Sequence, residues 1–210
     1  MKTQLFLISP EIKKPEAFRP ALEAALSSGK VAALLLRFSE AGGAADKSAR
    51  PLIALAQARG AAVLLEAGDD PRLAAHAGAD GLHVNDPANL RACLETLKPE
   101  RIAGAGRLKS RHDAMEAAEA GADYVLFGEP RADGSQPEFE QILERCQWWA
   151  EVFQTPCAGY APRLEDIAAL AATDIEFVAL GDAVWLDARG PGAAVEAALA
   201  AIAGAAGARS

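Results

Sequence analysis

Eight apolar runs of strand length recur along the chain at near-regular intervals, and each is followed by a stretch with helical character. The runs are Gln4–Ser9, Val31–Arg37, Ala61–Ala67, Gly81–Asn85, Arg101–Arg107, Asp123–Glu129, Thr155–Ala161 and Phe177–Asp182. Several are continuous rather than alternating, as in VAALLLR and AAVLLEA. A strand that is apolar at successive positions is buried on both faces, which is the mark of a parallel sheet. Between Gln136 and Phe153, the residues Phe139, Ile142, Leu143, Cys146, Trp149, Ala150 and Phe153 fall at three- and four-residue steps and make one helical stripe. Phe18, Leu22, Ala25 and Leu26 make another, and Asp113–Ala120 and Leu164–Ala172 are shorter versions. Gly60, Gly78 and Gly121 follow helix ends, where positive φ is wanted. Pro15, Pro71 and Pro87 stand where a first helical turn begins. A strand-helix repeat of roughly 20–30 residues suits a closed barrel, and the even count and lack of a glycine fingerprint weigh against an open doubly wound sheet. The expected fold is α/β: a single (β/α)8 TIM barrel over residues 1–210, with Ala193–Ala203 as its last helix and 204–210 as a frayed tail. Any active site is then expected at the C-terminal ends of the strands.

Composition narrows the function. Hydrophobic residues make up 51% of the 210 and only 6% are aromatic, so a large core packed through Ala and Gly is expected rather than disorder. The net charge is −8 and no basic run occurs, which argues against a nucleic-acid partner. No apolar stretch has the length of a membrane span, and no signal-peptide pattern opens the chain. The three cysteines are odd in number and lack metal-motif spacing, which fits reduced thiols in a cytoplasmic protein.

The strand ends carry the polar candidates. Arg37 closes the second run after six apolar residues, ready for an anionic group or for pairing with Glu40 or Glu66. Asp69 and Asp70 follow the third run, and His83, Asn85 and Asp86 follow the fourth. Carboxylates on neighbouring strand ends suit a magnesium ion, whereas Asp70-Pro71 and Asp86-Pro87 also read as helix caps. Arg107 and Lys109 follow the fifth run, and Glu129 and Arg131 the sixth, where Glu129–Pro137 is the expected lid loop. After the seventh and eighth runs, Gly159-Tyr160-Ala161-Pro162 and Gly181-Asp182-Ala183 stand where phosphate-binding barrels place backbone donors. Pro162 offers no N–H there, and Asp182 repels phosphate. Trp148 and Trp185 are candidates for a subunit contact, with ordinary packing as the alternative.

Gly78-Ala-Asp-Gly-Leu-His-Val84 and Gly121-Ala-Asp-Tyr-Val-Leu-Phe-Gly-Glu-Pro130 resemble the thiamine-phosphate synthase and TenI-like family, in matching order over most of the chain. The resemblance implies a (β/α)8 barrel in thiamine biosynthesis. Such a transferase couples hydroxymethylpyrimidine diphosphate to thiazole phosphate with magnesium and releases pyrophosphate. It also implies where the chemistry sits. Of the family's Gln-x-Arg-x-Lys, only Arg37 remains in Leu35-Leu36-Arg37-Phe38-Ser39. Asp69 keeps one magnesium carboxylate, while the second falls at Ala88, two residues beyond Asp86. The Ser-Thr-His of the fifth strand becomes Arg107-Leu108-Lys109, and no lysine stands between Arg131 and Gln136. The expected site is therefore His83 and Glu129 as acid/base residues, Arg37, Arg107, Lys109 and Arg131 as phosphate-binding residues, and Asp69 and Asp86 as metal carboxylates. With so few donors left for a diphosphate leaving group, the expectation is a family member with weakened synthase chemistry. The alternatives are a non-catalytic metabolite-binding or regulatory barrel, or a TenI-like tautomerase or isomerase. The expected partners are a phosphorylated heterocycle and a second copy of the chain.

Overall fold

Strands apolar at successive positions need cover on both faces, and eight of them find it by closing on themselves inside a ring of helices. In the computed structural model, which describes residues 3–38, 49–66, 70–131 and 134–207, the strands are β1 (Gln4–Ile12), β2 (Val31–Phe38), β3 (Ala62–Glu66), β4 (Gly81–Val84), β5 (Ile102–Ala105), β6 (Tyr124–Phe127), β7 (Cys157–Tyr160) and β8 (Phe177–Leu180). Each pairs in parallel with the next, and β8 pairs with β1 to close the barrel. The eight runs read from the sequence are these eight strands. The helices are α1 (Pro15–Ala25), α2 (Arg50–Gln57), α3 (Leu73–Ala77), α4 (Pro87–Leu97), α5 (Arg111–Ala120), α6 (Phe139–Val152), α7 (Ile167–Ala171), α8 (Asp182–Trp185) and α9 (Pro191–Gly207). Helix α9 runs four residues past the Ala203 expected from its pattern.

Alternation along each strand splits the core in two. Leu5, Leu7, Leu34 and Leu36 face outward into the layer beneath the helices, whereas Phe6, Ile8, Leu35, Leu64, Tyr124 and Leu126 fill the barrel interior. At the N-terminal end of the interior, Phe6, Tyr124 and Phe177 with the smaller Ala33 and Ala62 line a cavity of about 300 Å³. The repeated Gly-Ala-Asp phrases are scaffold devices. Asp80 accepts the Val63 N–H and Asp123 the Ala103 N–H, each at 2.7 Å, so each ties the strand it precedes to the start of an earlier one. Glu176 does the same for the Cys157 N–H at 2.8 Å. No helix of the described residues is long and apolar enough to cross a membrane. The three tryptophans pack within the fold: Trp149 is buried, Trp148 lies edge-on to it under Arg111, and Trp185 donates to the Ile8 carbonyl at 2.6 Å.

Candidate functional site

Ser9 and Pro10 begin the site by breaking a ladder. Pro10 has no N–H to give, and the register between β1 and β2 shifts between Ile8 and Glu11. Ser9 Oγ takes over, accepting the Arg37 N–H at 2.9 Å and donating to the Pro10 carbonyl at 2.8 Å. That exchange fixes the backbone of Arg37 where β2 reaches the barrel mouth.

Glu66, the last residue of β3, is the hub of the mouth. Its Oε2 accepts from Arg37 Nε at 2.8 Å, and its Oε1 accepts from Arg107 Nη2 at 2.8 Å and from Asn85 Nδ2. Of the two pairings the sequence offered for Arg37, the Glu66 one is present, while Glu40 lies outside the described residues. Arg37 spends one of its five N–H donors on Glu66, and Arg107 Nε is buried without a partner among the described residues. The space left among these side chains is about 10 Å³, room for roughly one water.

Beneath this network lies His83, 1% exposed. Its Nδ1 is 2.7 Å from the Tyr124 hydroxyl, and its Nε2 is 3.8 Å from Glu129 Oε1. Burial, then the Glu129 and Asp123 carboxylates, hold the Tyr124 phenol well above its ordinary value of 10. Two glycines of the β5 segment make room: a Cβ on Gly104 would lie 2.0 Å from the Tyr124 ring, and one on Gly106 2.1 Å from His83 Nε2 and 2.4 Å from Glu129 Oε1. The next residue, Arg107, sits at φ +51°, a left-handed conformation uncommon outside glycine. There its N–H donates to Glu129 Oε1 while its guanidinium reaches Glu66. One strained residue thus holds both carboxylates of the mouth, and strain of this kind concentrates at functional sites.

Four of the eight expected site residues meet here: Arg37, His83, Arg107 and Glu129. Lys109 lies in the capping turn of α5, its N–H bound to Asp113 and its side chain exposed. Arg131 closes its own turn, bonding the Ser135 carbonyl through its N–H at 2.8 Å and Ser135 Oγ through its side chain at 3.1 Å. Of the expected lid loop, Glu129 is folded into the barrel, and residues 132 and 133 lie outside the described residues. Asp86 caps α4, accepting the Ala88 N–H at 3.0 Å, and Asp69 also lies outside the described residues. Asp70 accepts the Arg72 N–H in a turn, so Pro71 precedes α3 rather than opening it. Magnesium is the cation the resemblance implies, and the described residues by themselves do not assemble a site for it. Among the described residues no three His, Cys, Asp or Glu side chains are grouped to hold a metal, and Asp86 is already committed to its helix. After β7 and β8 the Tyr160 hydroxyl packs against Gly181, where a Cβ would be 2.8 Å from it. Burial, then the Asp182 carboxylate, push that phenol up to about 12.

Tyr124, Gly104 and Gly106, which build the floor beneath the mouth, are not among the candidates expected from the sequence. The signal for the glycines was their period of two in Ile102-Ala-Gly-Ala-Gly106, which keeps one face of a strand bare.

The thiamine monophosphate synthase family model matches residues 5–184. A thiamine-phosphate synthase of Rhodospirillum centenum is 37% identical over 199 residues, covering 91% of this chain and 94% of the relative. Another, from Hyphomonas neptunium, is 36% identical and covers 93% and 92%. Among solved structures, a thiamine phosphate pyrophosphorylase from Pyrococcus furiosus superposes with a TM-score of 0.75 at 20% identity, covering 96% of both chains. A 3-hexulose-6-phosphate synthase does so at 0.73 and 17%, covering 96% and 99%, a likeness of fold alone.

Proposed function

The chain belongs to the thiamine monophosphate synthase family, and on that footing we propose that its barrel mouth binds a phosphorylated heterocycle of thiamine biosynthesis without carrying the diphosphate-releasing coupling at a synthase rate. The observation that supports this reading is Glu66. A diphosphate brings several negative charges, and its departure is catalysed by cations and donors aimed at it. Here the two guanidiniums of the mouth face two carboxylates, Glu66 and Glu129, and are already hydrogen-bonded to Glu66. Among the described residues, Lys109 and Arg131 sit on turns away from the cluster at the mouth, Lys109 N–H bound to Asp113 and the Arg131 side chain to Ser135.

In this reading Arg37 and Arg107 take a phosphate through the donors Glu66 leaves free, and Lys109 and Arg131 add charge at the rim. His83 and Glu129 handle protons on the heterocycle. Magnesium, where bound, supplies charge neutralisation to a phosphate, and Asp69 is the carboxylate positioned in sequence to hold it. The protein works in the cytoplasm. A second reading, a full synthase, is favoured by the 36–37% identity to the two relatives bearing that name.

Thermal unfolding with thiazole phosphate, thiamine phosphate or inorganic phosphate tests the binding half. A rise in Tm with either heterocycle, reduced in Arg37→Met, is expected. No rise with any of the three, at concentrations that saturate a true synthase, overturns it.

A further inference from the structure

We propose that Tyr124 fixes the tautomer of His83, so that the neutral ring carries its proton on Nε2 and presents that N–H at the barrel mouth. This rests on the reading above, in which His83 acts on the bound heterocycle, and assigns Tyr124 as its positioning residue.

Both ends of the ring favour this tautomer. At Nδ1, the Tyr124 hydroxyl is 2.7 Å away, and it makes no other hydrogen bond among the described residues. The phenol is wholly buried between the Glu129 and Asp123 charges, so it keeps its proton. A buried hydroxyl proton needs an acceptor, and leaving one unmatched costs about 1–3 kcal/mol. If Nδ1 carried the ring proton, the phenol oxygen would accept it and the phenol proton would have no protein acceptor among the described residues. Only a bare Nδ1 satisfies the hydroxyl. Among the described residues Nε2 has no hydrogen-bond partner, and Glu129 Oε1 lies 3.8 Å from it. An N–H there points toward a carboxylate, which is favourable, whereas a lone pair there faces the lone pairs of an anion.

The space around the rings is shaped for this arrangement. The two rings lie at 21° to each other with centroids 5.7 Å apart. Gly104 and Gly106 leave clear the volume that Tyr124 and His83 occupy, and a Cβ at either position would overlap them. A histidine whose second nitrogen is set by a fixed hydrogen bond has one defined role for the first. Here that role is donor: Nε2–H bonds an oxygen or ring nitrogen of the heterocycle as negative charge grows on it. Glu129, beside it, is left to accept a proton.

Nitrogen-15 NMR of the imidazole rings reads the tautomer directly, without substrate, so its outcome is independent of the binding and coupling assays. The chain has three histidines, and the buried one is assigned by its loss in His83→Gln. In the wild-type protein near pH 7, His83 is expected to show a protonated Nε2 and a bare, hydrogen-bonded Nδ1. In Tyr124→Phe, which removes one oxygen and keeps the ring, the single tautomer is expected to become a mixture with averaged shifts. In Glu129→Gln the wild-type tautomer is expected to persist. A protonated Nδ1 in the wild type overturns the proposal. So does an unchanged single tautomer in folded Tyr124→Phe, or loss of the tautomer in Glu129→Gln alone. Should Tyr124→Phe fail to fold, the wild-type spectrum still decides.

Discussion

Glu66 Oε2 lies 2.8 Å from Arg37 Nε, joining the ends of β3 and β2 across the barrel mouth. The contact positions a guanidinium and at the same time offsets its charge, as does the matching contact with Arg107. The consequence is testable in the anion affinity of the mouth. In Glu66→Gln the side chain keeps its shape and loses its charge. Binding of inorganic phosphate, measured by calorimetry at low salt, is expected to tighten about tenfold, the effect of roughly 1.4 kcal/mol. Both partners are only partly buried, so the change in stability should stay within about 1 kcal/mol. Unchanged or weaker phosphate binding contradicts the role given to Glu66.

The glycines of the chain divide by what surrounds them. Gly106→Ala drives a methyl into His83 and Glu129, and Gly104→Ala drives one into the Tyr124 ring. Each is expected to destabilise the barrel by about 1–3 kcal/mol or more in urea denaturation. Gly204, in α9, has nothing within 4 Å of its missing Cβ. There the alanine should stabilise by about 0.5 kcal/mol through helix propensity. Equal effects at Gly106 and Gly204 would contradict the packing described for the mouth.

Helix α5 begins with a capping box. Ser110 Oγ accepts the Asp113 N–H at 3.1 Å, and Asp113 accepts the Ser110 N–H at 3.0 Å. The Ser110 hydroxyl is the main reason the Asp113 carboxyl lies below its ordinary 3.8. A carboxyl depressed by folding stabilises the folded state above its unfolded value and loses that contribution as pH falls through the folded one. Ser110→Ala should cost about 1 kcal/mol at pH 7 and return the Asp113 titration toward 3.8. An NMR titration of Asp113 that does not move would contradict this.

Both tyrosines of the chain, Tyr124 and Tyr160, are buried with phenols raised above 10. The folded state keeps these protons where the unfolded state has lost them, so stability is full below pH 10 and falls as pH rises toward 12. Absorbance of tyrosinate near 295 nm should stay flat in the native protein through pH 10 and rise only with alkaline unfolding. A native titration of one tyrosine at 10 would show an exposed phenol and contradict the barrel interior.

The barrel was legible because a strand buried on both faces writes its burial into consecutive residues, as Val31–Phe38 does. The Arg37–Glu66 pair was legible as one of two choices, since the two residues stand near the ends of neighbouring strands. The contact of Tyr124 with His83 was not. It joins β6 to β4 over bare Gly104 of β5 and the following Gly106, and nothing local to either residue records a partner two strands away. The left-handed backbone of Arg107 was equally hidden, because Arg has no preference for that conformation and tertiary contacts impose it. The phrases that carried the family resemblance hold Asp80 and Asp123, which tie strands together. The same phrases also hold His83, Tyr124 and Glu129, so scaffold and site are written into the same stretches, while Arg37, Glu66 and Arg107 lie outside them.

The most direct measurement is thiamine phosphate formation by the purified protein from hydroxymethylpyrimidine diphosphate and thiazole phosphate with magnesium, beside an active synthase of the family. The expected rate is at least about a hundredfold below the control, the loss that follows when one or more donors aimed at the leaving group are missing. A rate matching the control would contradict it and make Arg37 and Arg107 the diphosphate clamp of a working synthase.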